Sequence, residues 1–282
     1  MKHARLVLLA GMALLLTTAC NSEYQIANRY LQKFQKQRNT AVERIYVALP
    51  QTVLHTNSTL ETIRDFDYLT PREQDSLIAA TTLLLPAVDD SLFLDQFGHS
   101  LLYTLSRVGI PIVVVSDGSR LPKASDSVFT IDILQLEAEE FLQPARSHFT
   151  TRKGAYYAYD YNLRHFATNV WLRTNDADSV RPIYFHSDEE QETFRGTVTR
   201  LRDNQATMKG HRETLGLDKV YATARRAGNQ CAILFVEELL TDQVRRVKGS
   251  NEQYFYYDPS CRCILDDVPY NEGKQQGFLT VE

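Results

Sequence analysis

The sequence predicts an α/β (α+β) fold in which helices pack on a mixed, mostly antiparallel sheet. In residues 94–108, apolar side chains recur at three- and four-residue steps, a spacing typical of an amphipathic helix. A β-branched run at 110–115 follows directly and indicates a strand. A second helical pattern fills 229–247, and two short β patterns follow it around a turn. We therefore expect a helical C-terminal half that ends in a late β-hairpin.

Residues 1–19 have the composition of a signal peptide. Lys2 and Arg5 give the segment a positive start, residues 6–16 are continuously apolar, and small residues precede Cys20. The apolar run is 11 residues long. A membrane-spanning helix needs roughly 20 residues, so the run is too short to be a permanent anchor. We predict that residues 1–19 are removed from the mature chain.

The residues that end this leader, Leu-Thr-Thr-Ala-Cys at 16–20, resemble the lipobox of bacterial lipoproteins. A stricter lipobox has Leu where Thr17 stands. The resemblance implies that Cys20 carries palmitate-type acyl chains that hold the protein on a membrane. Asn21 follows in place of the Asp that favours the inner membrane, which implies the outer membrane, facing the periplasm or alternatively the cell surface. An ordinary secretory signal cleaved near Ala19 is the other interpretation.

The composition fits a globular body. Apolar residues make up 43% of the chain and charged residues 23%, and the formal net charge is −4. A nucleic-acid-binding protein carries a basic footprint that this composition lacks, so we predict no nucleic-acid partner. We divide the chain after the leader into a lipid-anchored tether or helix at 20–42, a single α/β domain at 43–266 and a tail at 267–282. Within the first segment, apolar side chains recur at the spacing of an amphipathic helix, at Tyr24, Ala27, Tyr30, Leu31 and Phe34.

The first elements carry recognisable boundary signals. Residues 44–50 predict a strand that proline ends. Residues 71–85 predict a helix with Thr70 as its N-cap and Pro71 at the first helical position. The helix that reaches Val108 then follows, with Asp90 or Ser91 as its N-cap and Gly109 as its end.

A continuous apolar run and an alternating one follow this helix. The run at 110–115 predicts a buried strand. The residues at 127–136 predict another strand, whose apolar side chains share one face. Glu137, Glu139 and Glu140 come directly after it. We interpret these carboxylates as a solvated strand end and not as an acid–base pair.

Residues 142–155 are predicted to form a loop. Residues 156–161 and 165–173 predict β segments, because large side chains alternate along them. Residues 187–204 predict a helix, since Ser187 precedes three acidic residues that would suit a helix N-terminus.

Three cysteines remain if Cys20 is lipidated. They are Cys231, Cys261 and Cys263. An oxidising compartment permits a disulfide, and the odd count leaves one thiol unpaired. We expect Cys231 to pair with Cys261 or Cys263. Unpaired thiols are an open alternative, and a Cys-x-Cys zinc site is a weaker one because no histidine lies near to complete four ligands.

The sequence lacks the short patterns that carry common chemistries. It has no G-x-S-x-G, P-loop, G-x-G-x-x-G or H-E-x-x-H sequence. The cluster His-Ser-Asp-Glu at 186–189 is explained by helix capping. We therefore predict a protein that is not an enzyme and that needs no cofactor and no metal.

Four tyrosines fall within six residues, at Tyr156, Tyr157, Tyr159 and Tyr161. Tyrosines at alternate positions of a strand can stack on sugars or line a protein interface, because each ring is apolar and each hydroxyl is polar. The alternative is an edge strand with half-buried tyrosines. These residues are the candidate binding surface.

The order of elements in residues 44–140 resembles a known domain. A strand ends in Leu-Pro, a helix carries Phe97, Leu101 and Leu105, a Val-rich strand follows, and the alternating strand then ends in acidic residues. This order is similar to the small α/β domain of periplasmic lipoproteins that assist envelope machines, namely the ABC-type transport auxiliary lipoproteins and the TolB amino-terminal-like group. In those families the domain is a protein-binding platform without an active site.

The resemblance implies a non-enzymatic accessory or binding subunit of an envelope transport or assembly machine. Its partners would be the membrane, through the lipid, and an envelope protein. The alternative is a lipoprotein that binds a carbohydrate or another small ligand through the tyrosine strands.

Overall fold

The structure is a computed structural model that describes residues 23–36, 42–59, 68–123, 125–150, 156–175, 183–202, 205–249, 255–265 and 278–281. The predicted signal peptide and Cys20 lie outside the described residues. None of the helices in the described part of the chain combines the length and the apolarity that a membrane span requires.

The described residues form helices and strands in mixed order. The helices are α1 (Glu23–Gln35), α2 (Pro71–Thr81), α3 (Asp90–Ser106) and α4 (Leu217–Lys248). The strands are β1 (Arg44–Ala48), β2 (Leu54–Asn57), β3 (Ile112–Val115), β4 (Val128–Thr150), β5 (Tyr156–Asn175), β6 (Ile183–Gln191), β7 (Thr193–Arg202), β8 (Gln205–Glu213), β9 (Tyr256–Asp258), β10 (Cys263–Leu265) and β11 (Phe278–Val281).

Seven of the strands form one mixed sheet. Its order is β11-β6-β5-β4-β1-β3, and β2 pairs with β4 beside this path. The contacts of β1 with β3 and β4, and of β2 with β4, are parallel. The contacts of β4 with β5, β5 with β6, and β6 with β11 are antiparallel. The predicted α/β fold with a mixed sheet is therefore confirmed, and β9 and β10 form the predicted late hairpin.

Helices α3 and α4 pack together over the apolar side of this sheet. Phe97 and Leu101 of α3 are buried where Gly228 of α4 meets the α3 backbone. Phe93 is buried beside the Phe166 ring of β5.

Residues 231–244 of α4 are buried on every side of the helix. The carboxylate of Glu237 is buried in this part of α4 as well. It has a hydrogen-bond partner there, because it accepts from the Tyr257 backbone N–H at 2.8 Å. Such a helix cannot show the usual apolar stripe along its whole length.

Helix α1 belongs to the same core. Its residues Ile26, Ala27, Leu31 and Phe34 are buried in the core cluster. The segment at 23–35 is thus a helix, as the spacing of its apolar residues predicts, and it packs into the folded body. At the other end of the chain, β11 pairs with β6, so residues 278–281 of the predicted tail are also part of the sheet.

Helix α2 begins as predicted. The Thr70 side chain accepts from the Glu73 backbone, the Glu73 side chain binds the Thr70 backbone, and Pro71 occupies the first turn. The prediction for β3 is wrong in one respect, because this strand lies at an edge of the sheet and Val114 is 49% exposed. Helix α3 is capped by Asp89, so the predicted caps Asp90 and Ser91 are wrong, and both residues lie in the first turn of the helix.

Two further predictions are wrong. Residues 142–150 are not a loop, because β4 continues through them in register with β5. Residues 187–202 are not helical, because β6 pairs with β5 and β7 pairs with β8. The acidic residues that suggested a helix start instead bind α4, since Arg226 contacts Asp188 at 2.6 Å and Glu190 at 3.0 Å.

Candidate functional site

Strands β4 and β5 form a long hairpin that extends past the sheet. In the described residues, β2 and β6 accompany these strands only as far as Glu140 and His165. Beyond them, residues 143–150 and 156–163 pair with each other. We call these two segments the arm. At roughly 3.3 Å per residue, the arm extends about 25 Å from the body.

All four predicted tyrosines lie on the arm, but on two faces. The register pairs Tyr157, Tyr159 and Tyr161 with residues on one face of β4, and it pairs Tyr156 with Thr150 on the other. Tyr156 is 62% exposed and Tyr159 is 44% exposed. Tyr161 is half-buried. The alternative interpretation, a half-buried tyrosine, therefore holds for Tyr161, whereas the rings of Tyr156 and Tyr159 are accessible to a ligand.

A residue that sequence reasoning missed completes the aromatic cluster. The Phe194 ring lies 4.4 Å from the Tyr161 ring and 5.8 Å from the Tyr159 ring. Gly210, on the neighbouring strand, leaves room for this ring, because a Cβ there would meet it at 2.3 Å. The helix that the sequence predicts at 187–204 would not place Phe194 on a strand in contact with the arm. The Asp-Asn pair at 203–204, a common turn sequence, was the available signal for a hairpin.

An open cleft lies on the arm beside Tyr161. It has a volume of about 530 Å³ and is lined by Pro144, Ala145, Arg146, Asp160, Tyr161 and Asn162. Arg146 donates two hydrogen bonds to Asp160, one of them at 3.0 Å between Nη2 and Oδ2. These bonds hold the pKa of Asp160 below its ordinary value and raise that of Arg146. The cleft therefore presents a fixed ion pair next to an aromatic ring and an amide.

A buried carboxylate holds the base of the arm. Glu140 has no exposed surface, and it accepts hydrogen bonds from three consecutive backbone N–H groups, of Leu83, Leu84 and Leu85, at 2.9, 2.8 and 3.0 Å. Arg164 also binds this carboxylate and donates to the Thr81 carbonyl at 2.6 Å. The interpretation of this acidic patch as a solvated strand end is therefore wrong, since Glu137 is buried as well.

The cysteines do not pair as expected. Cys261 and Cys263 form a disulfide with each other, and Cys231 is a buried free thiol in α4. Burial raises the pKa of the Cys231 thiol well above its ordinary value, so the group behaves as a small apolar side chain. The predicted bond to Cys231 is wrong, because Cys231 is fully buried in the hydrophobic core and Cys261 bonds to Cys263. The disulfide also occupies both sulfurs of the alternative zinc site.

The histidines are distributed over separate contacts. His165 binds Glu189, His55 binds Asp90 at 2.8 Å, and His186 stacks on Phe278. The His-Ser-Asp-Glu cluster lies along β6 and not at a helix start. Across the described ranges, no three His, Cys, Asp or Glu side chains are placed to hold one metal ion.

No protein-family model matches the chain, and no curated protein matches it. Among solved structures, a crystal structure from Helicobacter pylori, described as that of a neuraminyllactose-binding hemagglutinin homolog, is 10% identical. The match covers 75% of this chain and 92% of that chain with a TM-score of 0.31. A TM-score of this size carries no argument about fold or function.

Proposed function

We propose that this protein is a lipid-anchored, non-enzymatic envelope protein that binds another envelope protein through its arm. The observation that carries the proposal is the arm with its exposed tyrosines. Tyr156 and Tyr159 lie on a hairpin that extends past the sheet, and Glu140 and Arg164 fix its base in the core.

Aromatic side chains of this kind suit a protein interface. A tyrosine ring offers a large apolar contact, has few rotatable bonds to immobilise and keeps a polar hydroxyl at its rim. The Phe194 contact orders the Tyr159 ring before any partner binds. An ordered ring loses less conformational freedom on binding, which favours affinity.

The proposed anchor would hold the body close to the membrane. Helix α1 begins at Glu23 and packs into the core, and only Asn21 and Ser22 stand between it and Cys20. A fully extended chain over this distance spans about 10 Å at most. Anchored partners in the same membrane would therefore meet the arm at high effective concentration.

The arm is tested by replacing its exposed tyrosines. A photo-crosslinker at position 156 or 159 in living cells is expected to capture one envelope protein repeatedly. The double variant Tyr156→Ala/Tyr159→Ala should weaken binding of the purified partner at least about tenfold, because interface tyrosines are frequent hot spots. Tyr68→Ala/Tyr103→Ala is the matched control, since it removes two exposed tyrosines elsewhere and should leave affinity unchanged. Equal affinities of the two variants would contradict the proposal.

A carbohydrate ligand is the second candidate, and the cleft on the arm favours it. The Arg146–Asp160 pair and Asn162 could bind sugar hydroxyls while Tyr161 stacks on the ring. A panel of oligosaccharides would then raise the melting temperature of the chain, because a ligand stabilises the fold that binds it. Asn162→Ala should abolish that shift. In this case the crosslinked partner would be absent, and the protein-binding proposal would give way to this one.

The anchor is tested separately. Cys20→Ala is expected to move the protein from the membrane fraction to the soluble fraction when membranes are washed in about 1 M salt, because the acyl chains can no longer be attached and the salt screens any electrostatic attachment. Metabolic labelling with an alkynyl palmitate analogue should mark the wild type and not the variant. A wild-type protein that is unlabelled and soluble would refute the anchor.

A further inference from the structure

The β7–β8 hairpin is a basic segment of an acidic chain. Residues 193–213, which we call the ribbon, contain five Lys or Arg and two Asp or Glu. The ribbon thus has a net charge of +3, and because the whole chain has −4, the remaining residues sum to −7. Its strands form a two-stranded sheet apart from the main sheet. The ribbon is thus a locally basic hairpin outside the main sheet.

The strand register separates the basic residues from the apolar ones. The first face contains Thr193, Arg195, Thr197, Arg200 and Arg202 of β7, opposite Glu213, His211, Lys209, Thr207 and Gln205 of β8. Glu213, the acidic residue of this set, lies at the base of the ribbon, where it accepts a hydrogen bond from the Thr193 hydroxyl at 3.1 Å and lies 3.7 Å from Lys219. The second face contains Phe194, Gly196, Val198 and Leu201 of β7, opposite Arg212, Gly210, Met208 and Ala206 of β8. We call the first the cationic face.

A bulge is what completes this separation. Alternation from Arg195 alone would put Arg200 and Arg202 on the apolar face. The register shifts between Val198 and Arg200, so Thr199 is an extra residue on β7. The shift moves both arginines onto the cationic face, and four Lys or Arg residues then share it.

The contacts at the base of the ribbon show which face turns outward. Phe194, on the apolar face, packs on Tyr161 and Tyr159 of the arm. Arg212, the basic residue of that face, donates to the Asn162 carbonyl at 2.8 Å and lies 3.6 Å from Glu192. The Arg195 side chain, on the cationic face, is exposed and makes no hydrogen bond or ion pair with the described residues.

We propose that the cationic face of the ribbon binds the headgroups of an anionic lipid bilayer. The inference rests on the lipid anchorage of the proposed function, which keeps the body at a membrane. The ten-residue strand β7 of the ribbon spans about 30 Å. The cationic face is therefore an elongated surface, which suits the planar array of negative charges on a bilayer. An acyl anchor together with a basic patch gives a stable two-signal attachment.

Vesicle sedimentation tests this surface without the anchor. The unlipidated chain of residues 21–282 contains every described residue, and it is mixed with phosphatidylcholine vesicles prepared with or without phosphatidylglycerol. We expect binding only to the vesicles that contain phosphatidylglycerol. The binding should be lost near 1 M salt, where the screening length falls to about 3 Å.

Charge variants locate the binding surface. Arg195→Gln/Arg200→Gln should weaken vesicle binding about 30-fold, because each basic residue near an anionic bilayer contributes a factor of about five. Arg225→Gln/Arg245→Gln removes the same charge from exposed positions of α4 and should leave binding unchanged. Circular dichroism confirms that both variants fold, and Arg202→Gln/Lys209→Gln is the second pair on the same face.

Two results would overturn the proposal. One is an absence of binding to phosphatidylglycerol vesicles by the folded wild-type chain. The other is an equal loss of binding in the ribbon and α4 variants. Capture of an acidic protein by the ribbon, together with the first result, would make that protein the ligand of the cationic face. Failure of the anchor itself is a different outcome, because it is detected by the Cys20→Ala fractionation and leaves unlipidated binding to vesicles intact.

Discussion

Glu140→Ala is expected to lower the free energy of unfolding by about 3–5 kcal/mol, the usual range when one partner of a buried ion pair is removed. The Glu140 carboxylate is fully buried, and it neutralises Arg164 while it accepts the backbone N–H groups of residues 83–85. Its removal would leave a buried guanidinium and three backbone donors without their acceptor. Urea denaturation of the chain of residues 21–282, followed by circular dichroism, measures the loss.

The chain supplies a matched control for this variant. Arg146 and Asp160 form a second arginine–carboxylate pair between β4 and β5, but their side chains are 64% and 68% exposed. Asp160→Ala should change the unfolding free energy too little to resolve, because water screens an exposed pair. Glu140→Gln should fall between the two, since it keeps the shape and loses the charge. Equal losses for Glu140→Ala and Asp160→Ala would contradict a dominant role for burial.

The helices could be predicted because their signals are local. The capping box at Thr70 and Glu73 needs only residues three apart, and the buried face of α3 repeats at helical spacing. The start of α4 at Leu217 was missed by twelve residues. The missed segment at 217–228 buries mainly small side chains, such as Thr223, Ala224 and Ala227. Its apolar repeat is therefore weak, although Arg225 marks an exposed face.

The errors in the strands have a non-local cause. The acidic residues at 188–190 are typical of a helix start, yet Arg226 of α4 and His165 of β5 bind them in a strand. The carboxylate of Glu140 is buried by the residues that follow α2, more than fifty positions earlier in the chain. No window of adjacent sequence contains such partners.

The candidate site, too, could be predicted only where its signal is local. The alternation of tyrosines placed Tyr157, Tyr159 and Tyr161 on one face, because a strand has a period of two. Strands β4 and β5 extend past the sheet because β2 and β6 end earlier. The sequence of the arm carries no information about where those neighbouring strands end. The contact of Phe194 required the β7–β8 register.

Gly228→Ala is expected to destabilise the fold, although alanine is the better helix former. A Cβ at Gly228 would lie 2.2 Å from the Phe97 carbonyl oxygen and 3.1 Å from its carbon. Both are backbone atoms of α3, so the two helices would have to separate. Alanine gains about 1 kcal/mol in helix propensity, whereas overpacking in a well-packed core costs about 1–3 kcal/mol. We expect a net loss of up to about 2 kcal/mol, measured by urea denaturation.

Gly98 offers the opposite result at the neighbouring helix. A Cβ at Gly98 would lie 3.3 Å from Leu49 Cδ1, the end of a flexible side chain that can move by a few tenths of an ångström. Gly98→Ala should therefore raise the unfolding free energy by up to about 1 kcal/mol, the helix-propensity gain alone. The two substitutions are chemically identical, and both lie within α3 or α4. A shift of the same sign in both variants would show that helix propensity, and not the close approach of α4 to the α3 backbone, decides stability here.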